Sequence, residues 1–340
     1  MAGDKRLGIG LIGCGRAGLI HGRNFVGRVQ GARLVALSDP NQEALASASE
    51  ELGVADTYSD YTGMLHNSAV DAVIVVTPTV LHEEIVVAAG EAGKHVFCEK
   101  PMAMNLREAE AMNEAARKNG TKLQIGFMRR FDREFAGAKQ KVDDGAIGEV
   151  TLIKTLTHGP STPKEWMYDI KKSNGPLAEV NSHDIDTVRW FAGSEVQEVY
   201  ALAGNYRCRE VAGRYPDFYD NVVLSMKLSD GKQAVVEGAV SVGYGYDARM
   251  EVLGTAGLLQ AGRLETNTVR TVTRSGGVQF DAVPSWRNLF QEAYLLEDQA
   301  FVDAICNDQE PPVTGFDGQM AVAVVLAGNE SIRTGKPVRL

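Results

Sequence analysis

Cysteine, tryptophan and histidine are scarce in this 340-residue chain, at 4, 3 and 6 residues. The cysteines (Cys14, Cys98, Cys208, Cys306) are scattered and no C-x-x-C occurs, so no disulfide framework is expected. Cys14 and Cys98 fall at expected strand ends and read as small, reduced core residues. Long apolar runs are also missing: none nears the roughly 20 residues of a membrane span. The N-terminal MAGDKR lacks the apolar core of a signal peptide, so a cytoplasmic location and no membrane partner are expected. Positive charge is in deficit, with a net charge of −9, which argues against nucleic acid or an anionic membrane as partner. No internal repeat and no low-complexity linker interrupts the chain. What remains is globular, 44% hydrophobic and 23% charged, and long enough for two domains.

The richest signal lies at Leu7–Gly18, LGIGLIGCGRAG. Leu7–Ile12 is short and apolar, as a buried parallel strand should be. It runs into Gly13-Cys14-Gly15-Arg16-Ala17-Gly18, which fits G-x-G-x-x-G. In that pattern Gly13 permits a tight turn, Gly15 a close approach of backbone to pyrophosphate, and Gly18 close packing of the next helix. The helix N-terminus then offers free N–H groups to phosphate. A tight strand–helix turn without ligand would show the same glycines. A helical stretch (Leu19–Val29) and a second strand (Ala32–Ser38) ending at Asp39 favour the dinucleotide reading, because Asp39 lies 21 residues past Gly18. A carboxylate there accepts from ribose hydroxyls and repels a 2′-phosphate, and Pro40 follows, so NAD is expected over NADP. Arg16 is the counter-signal, since it could reach a 2′-phosphate or simply sit near the pyrophosphate.

Strands and helices alternate onward to Phe127: helix Gln42–Leu52, strand Ala55–Tyr58, a helix near Tyr61–His66, and strand Ala69–Val76. A helix to Ala92, strand His95–Cys98, helix Leu106–Asn119 and strand Leu123–Phe127 follow. This rhythm predicts a doubly wound parallel (Rossmann) sheet over residues 1–127, with ligands outside the carboxyl ends of its strands. Gly13–Gly18, Asp39, Thr77, Glu99–Lys100 and Met128–Arg130 all fall at such ends and should converge on one crevice. Most lysines are solvated. Lys100, between a buried strand and Pro101, is restricted to extended backbone and is expected to point into the crevice.

Residues 128–340 read as an α+β domain with an open, largely antiparallel sheet, on which the C-terminal tail is free to pack back toward the first domain. Its chemical cluster is Glu179-Val-Asn-Ser-His183-Asp184-Ile-Asp186. If helical, this segment puts Glu179 and His183 at i,i+4 on one face and Asp186 a turn further. A carboxylate so placed orients an imidazole for proton transfer. A capped helix start around Asn181 and Ser182, or a satisfied buried histidine, is the plainer alternative. No second histidine stands nearby, so no metal is expected.

The GCGRAG turn with Asp39, Thr77-Pro78-x-x-x-His82, Glu99-Lys100-Pro101, His183-Asp-Ile-Asp186, RMEVLGTAGL (Arg249–Leu258) and the Gly315–Leu340 tail resemble the glucose–fructose oxidoreductase / inositol dehydrogenase family over essentially the whole chain. Gly126–Asp132, Tyr244–Asp247 and Trp286, Phe290 and Tyr294 look like its inositol 2-dehydrogenases in particular. The resemblance implies oxidation of a ring secondary alcohol of a cyclitol or sugar by NAD(P), in a homo-oligomer (dimer or tetramer) built across the open sheet. It matches Lys100 to the lysine on the reacting hydroxyl and His183 to the acid/base histidine, with Glu179 where the inositol enzymes usually carry Asp. It places Ala17, Thr77, His82 and Glu99 beside the glycines in the cofactor site, and makes Arg130, Tyr244 and Tyr246 candidates for holding further hydroxyls. The segment His158–Ile170, with Trp166 and Tyr168, departs from the inositol pattern. Two other activities fit the same fold: a non-catalytic NAD-binding regulator and a redox-neutral NAD-dependent glycosidase.

Overall fold

The computed structural model describes residues 6–340. The apolar runs of the first half form a six-stranded, wholly parallel sheet of β1 (Leu7–Ile12), β2 (Ala32–Ser38), β3 (Thr57–Tyr58), β4 (Ala72–Val75), β5 (His95–Glu99) and β6 (Leu123–Gly126). Its strand order is 3-2-1-4-5-6. The order reverses between β1 and β4, which opens the ligand crevice of a doubly wound sheet at their carboxyl ends. The connecting helices are α1 (Gly18–Phe25), α2 (Gln42–Leu52), α3 (Tyr61–Leu65), α4 (His82–Glu91) and α5 (Leu106–Asn119). Their limits follow local chemistry. Asn41 and Asn105 cap the starts of α2 and α5 with side-chain acceptors, and left-handed Gly53 and Gly120 end them.

Several elements are shorter than their pattern predicts, among them β3, which keeps only Thr57–Tyr58 of the expected Ala55–Tyr58. The first helix stops at Phe25, not Val29, and Val29 turns inward to join the core with Phe25, Leu37, Ile74 and Phe97. Strand β4 starts at Ala72, and just before it the Asp71 carboxylate accepts the Gly8 N–H at 2.7 Å.

The second sheet collects α6 (Arg133–Asp143), β7 (Val150–Gly159), four helices and the strands beyond. The helices are α7 (Glu165–Tyr168), α8 (Ile170–Ser173), α9 (Gly175–Glu179) and α10 (Ser182–Ala192). The strands are β8 (Val196–Gly204), β9 (Asn221–Leu228), β10 (Gln233–Val240), β11 (Asp247–Gly254) and β12 (Leu258–Ala261). After the small hairpin β13 (Thr271–Thr273) and β14 (Gly277–Gln279) come α11 (Trp286–Leu289), α12 (Gln291–Cys306), α13 (Gly315–Thr334) and β15 (Val338–Arg339). The order is 12-11-7-10-9-8-15, antiparallel except where β7 and β10 run parallel. Strand β9 alternates buried and exposed residues along its length, as a sheet covered on one face must.

The chain makes two compact units. One runs through Met128 and takes in Glu292–Val322; the other holds Arg129–Gln291 and Ala323–Leu340. The first is completed by α12, whose Phe301 and Val302 enter the core of the parallel sheet beside Phe97. No helix among the described residues is long and apolar enough to cross a membrane.

Candidate active site

In the first unit, the turn after β1 depends on two bare backbone positions. Gly13 has φ +101°, and a Cβ there would come within 2.5 Å of the Val76 carbonyl oxygen. A Cβ on Gly18 would come within 1.9 Å of the Gly13 oxygen, so α1 can start this close to the turn only with glycine. Around Gly15 there is open space. Ala17, at the N-cap of α1, supplies no side-chain cap, which leaves that helix end to a ligand. Arg16 is exposed beside it.

Asp39, half-buried at the end of β2, turns back onto this loop. Its Oδ2 accepts from the Cys14 N–H at 2.8 Å and its Oδ1 from the Asn41 N–H at 2.8 Å. Burial, and then the neighbouring Asp39 charge, push the Cys14 thiol up to about 12, so it is no nucleophile. At the end of β4 the Thr77 hydroxyl oxygen is buried with no hydrogen-bond partner among the described residues. Buried polar atoms are rarely left so unless a ligand completes them. An open Gly15, an uncapped helix start, an orphaned threonine hydroxyl and a fixed carboxylate together fit a dinucleotide's pyrophosphate and ribose.

His82 and Glu99 are buried behind these loops. The His82 ring bridges the carbonyls of Thr77 and Pro101, each at 2.9 Å, and so joins the loops after β4 and β5. Burial lowers its pKa despite those two carbonyls. Glu99 Oε2 accepts from the Lys100 N–H at 2.9 Å, and the Lys100 side chain follows, half-buried, ahead of a cis peptide to Pro101.

In the second unit the segment Glu179–Asp186 is not one continuous helix. The Pro176 carbonyl accepts from both Val180 N–H (2.9 Å) and Asn181 N–H (3.1 Å), which ends α9 at Glu179. Helix α10 restarts after Asn181, whose side chain lodges over β10. There Gly238 leaves room: a Cβ would lie 2.0 Å from Asn181 Oδ1. Glu179 and His183 therefore flank a break, and do not share a helical face. Glu179 is half-buried; His183 is buried in the first turn of α10.

Beneath His183, Asp184 is fully buried and takes four donors. Arg129 Nη1 (2.7 Å) and Thr155 (2.7 Å) reach Oδ1; Thr157 (2.6 Å) and Asn181 Nδ2 (2.9 Å) reach Oδ2. Arg129, 1% exposed, lies over the rings of Phe135 and Phe290, at 5.6 and 5.8 Å from their centres. Burial pulls its pKa down, and Asp184 more than reverses this, so the net shift is upward. Next in sequence, Arg130 forms a two-pronged bond to Asp186 (2.9 and 2.5 Å) and covers Trp190. Tyr246 is buried against Arg129 and Phe290. Tyr244 is exposed; its hydroxyl meets His158 Nδ1 at 2.5 Å and Asp247 Oδ2 at 3.2 Å. Burial and then Asp247 push the Tyr244 phenol up to about 12, so it serves as a hydrogen-bonding hydroxyl. Among the described residues no group of three or more histidines, cysteines or acids is arranged to hold a metal ion.

Sequence reasoning gives no role of their own to His158, to the two threonines or to Arg129, which it takes only as part of Met128–Arg130. The threonines' spacing, Thr155 and Thr157 on one face of β7, is the signal that was available.

Residues 7–127 match the model of the oxidoreductase family with an NAD-binding Rossmann fold, and residues 139–340 match the C-terminal alpha/beta domain of the same family. The chain belongs to this oxidoreductase family. Among its relatives, the chain is 35% identical to scyllo-inositol 2-dehydrogenase (NAD(+)) of Bacillus subtilis, over 97% of this chain and 95% of that one. It is 33% identical to myo-inositol 2-dehydrogenase of Thermotoga maritima, over 98% of each. The crystal structure of scyllo-inositol dehydrogenase from Lactobacillus casei with bound NAD(H) and scyllo-inositol superposes with a TM-score of 0.90 at 31% identity, covering 98% of this chain and 99% of that one. The family and the parallel-then-antiparallel fold thus agree with the motif resemblance.

Proposed function

We propose that this oxidoreductase uses NAD to oxidise a ring secondary alcohol of an inositol-like cyclitol or sugar to the ketone. The observation that carries the reading is full-length similarity to a dehydrogenase holding NAD(H) and scyllo-inositol, in a chain with both a lysine after β5 and a buried histidine in α10. When bound, the nicotinamide accepts a hydride from the carbinol carbon. His183 takes the hydroxyl proton, and the Lys100 ammonium stabilises the developing alkoxide. Arg130 and Tyr244 hold other hydroxyls of the ring. Tyr246, buried against Arg129, supports them from behind.

Gly13, Gly15, Ala17 and Gly18 admit the pyrophosphate, with Arg16 near it and the Thr77 hydroxyl as a further donor. Asp39 selects NAD over NADP by accepting from the ribose and repelling a 2′-phosphate. Self-association as a dimer or tetramer is supported by the outer face of the second sheet, where Leu202 and its register partner Val223 are exposed.

The test is NADH absorbance during incubation with a panel of polyols and glycosides. Net NADH with cyclitols supports the dehydrogenase. Sugar release without net NADH would replace it with the glycosidase, and silence on both with retained NAD binding would replace it with the regulator.

A further inference from the structure

Behind Lys100, and wholly within the first unit, lies a chain of buried charged groups. Asp298 on α12 accepts from His21 Nδ1 at 2.6 Å, and His21 Nε2 reaches Glu99 Oε1 at 3.2 Å. The other oxygen of Glu99 accepts the Lys100 N–H. The far end is anchored as well: Asn24 donates to Asp298 Oδ2 at 2.8 Å and is itself met by Arg28 at 3.2 Å. His21, Asp298 and Glu297 are 0% exposed. Phe97 and Tyr294 wall the imidazole at 5.1 and 5.5 Å between ring centres.

Burial alone would neutralise His21; Asp298 first, then Glu99, reverse this and raise its pKa well above the usual histidine value. Both ring nitrogens then donate, one to each carboxylate. Glu297, the remaining acid near the ring, has both oxygens buried without a hydrogen bond among the described residues, and burial followed by Glu99 raises its pKa well above the usual carboxylate value. Room for the Glu99 carboxylate comes from the neighbouring strand. Gly126, its register partner on β6, has no side chain, and a Cβ there would lie 3.0 Å from Glu99 Cδ and Oε2.

Such a chain is costly as core packing, since apolar side chains of equal volume commonly stabilise as well or better. Its geometry instead ends on one backbone N–H, that of the residue carrying the ammonium.

We propose that Asp298, His21 and Glu99 act as positioning residues, fixing the backbone at Lys100 so that its ammonium is aimed at the reacting hydroxyl. This rests on the reading of Lys100 as the alkoxide-stabilising group.

The experiment uses the full chain with NAD and the polyol that yields net NADH, comparing His21→Gln, Glu99→Gln and Gly126→Ala with the parent. The expected result is a fall in kcat of about 10- to 100-fold, the cost of a misplaced group. In His21→Gln and Gly126→Ala the NAD Kd stays unchanged, and in all three variants the primary deuterium isotope effect rises as hydride transfer becomes limiting. A purely structural role lowers the folded fraction but leaves kcat per NAD-binding site and the isotope effect as in the parent; that result overturns the proposal. Should the variants not fold, ¹⁵N-histidine spectra of the parent at pH 8 decide, with two protonated ring nitrogens on His21 expected and a neutral ring overturning it.

Lys100→Met separates the two readings. If it keeps turnover, the catalytic role of Lys100 fails, and the Lys100 amide resonance becomes the readout. Its movement in His21→Gln, which does not touch that amide, upholds the positioning chain; an unmoved resonance ends it.

Discussion

The carboxylate of Asp39 accepts the backbone N–H of Cys14 at 2.8 Å, joining the end of the second strand to the glycine turn 25 residues earlier. It braces the turn, and in the proposed enzyme it also faces the ribose. Asp39→Ala should weaken NAD binding about 10- to 100-fold, the range for hydrogen bonds to a charged group. NADP should lose less, because the repelled 2′-phosphate gains from removal of the charge. Fluorescence titration with both cofactors checks this, and equal losses would remove Asp39 from cofactor choice.

Lys100→Met keeps the length of the side chain and removes its charge. Turnover should fall at least about 100-fold, the scale for losing one electrostatic donor at a developing oxyanion. NAD should still bind, since the glycine turn and Asp39 are untouched. Steady-state kinetics with a binding titration read both; near-normal kcat would move the alkoxide-stabilising role elsewhere.

Arg129→Met leaves Asp184 fully buried with only neutral donors. Unfolding free energy should drop by about 3–5 kcal/mol, as when one partner of a buried pair is removed. Denaturant melts measure this. Restoring neutrality with Asp184→Asn in the same chain should recover part of the loss, and no recovery would mean that the packing of Arg129 on Phe135 and Phe290 dominates.

His82 should govern part of the acid sensitivity. Burial lowers its folded pKa below the unfolded value of about 6.5, so the fold prefers the neutral ring. Its stabilising contribution is full above about pH 6.5 and is lost as pH falls through the depressed folded pKa. Urea midpoints measured from pH 8 down to pH 5 should fall more steeply for the parent than for His82→Gln. Parallel curves would contradict the assignment.

The first sheet and its glycine turn are legible in the sequence because buried parallel strands are near-continuous apolar runs. Ala32–Ser38, Gln42–Leu52 and Leu106–Asn119 keep the limits that their patterns and caps suggest. The break between Glu179 and Asn181 is not legible. It is made by Asn181 settling over Gly238 and donating to the Glu237 carbonyl 56 residues away, and no local spacing carries that information. The same holds for His21 and Asp298, which meet across 277 residues. His21 taken alone reads as an ordinary helix residue, and His82 stands out only through the family resemblance. Only the fold reveals that one sits between two acids and that the other, His82, stitches two loops.

The return of Glu292–Val322 to the first unit limits how the protein can be taken apart. A recombinant fragment stopped at Met128 would keep every cofactor motif yet lack Asp298 against His21 and Phe301 against Phe97. Modular transplants that treat the nucleotide-binding half as a contiguous cassette should therefore yield insoluble product. A chimera that also carries the later helix from the same parent should fold.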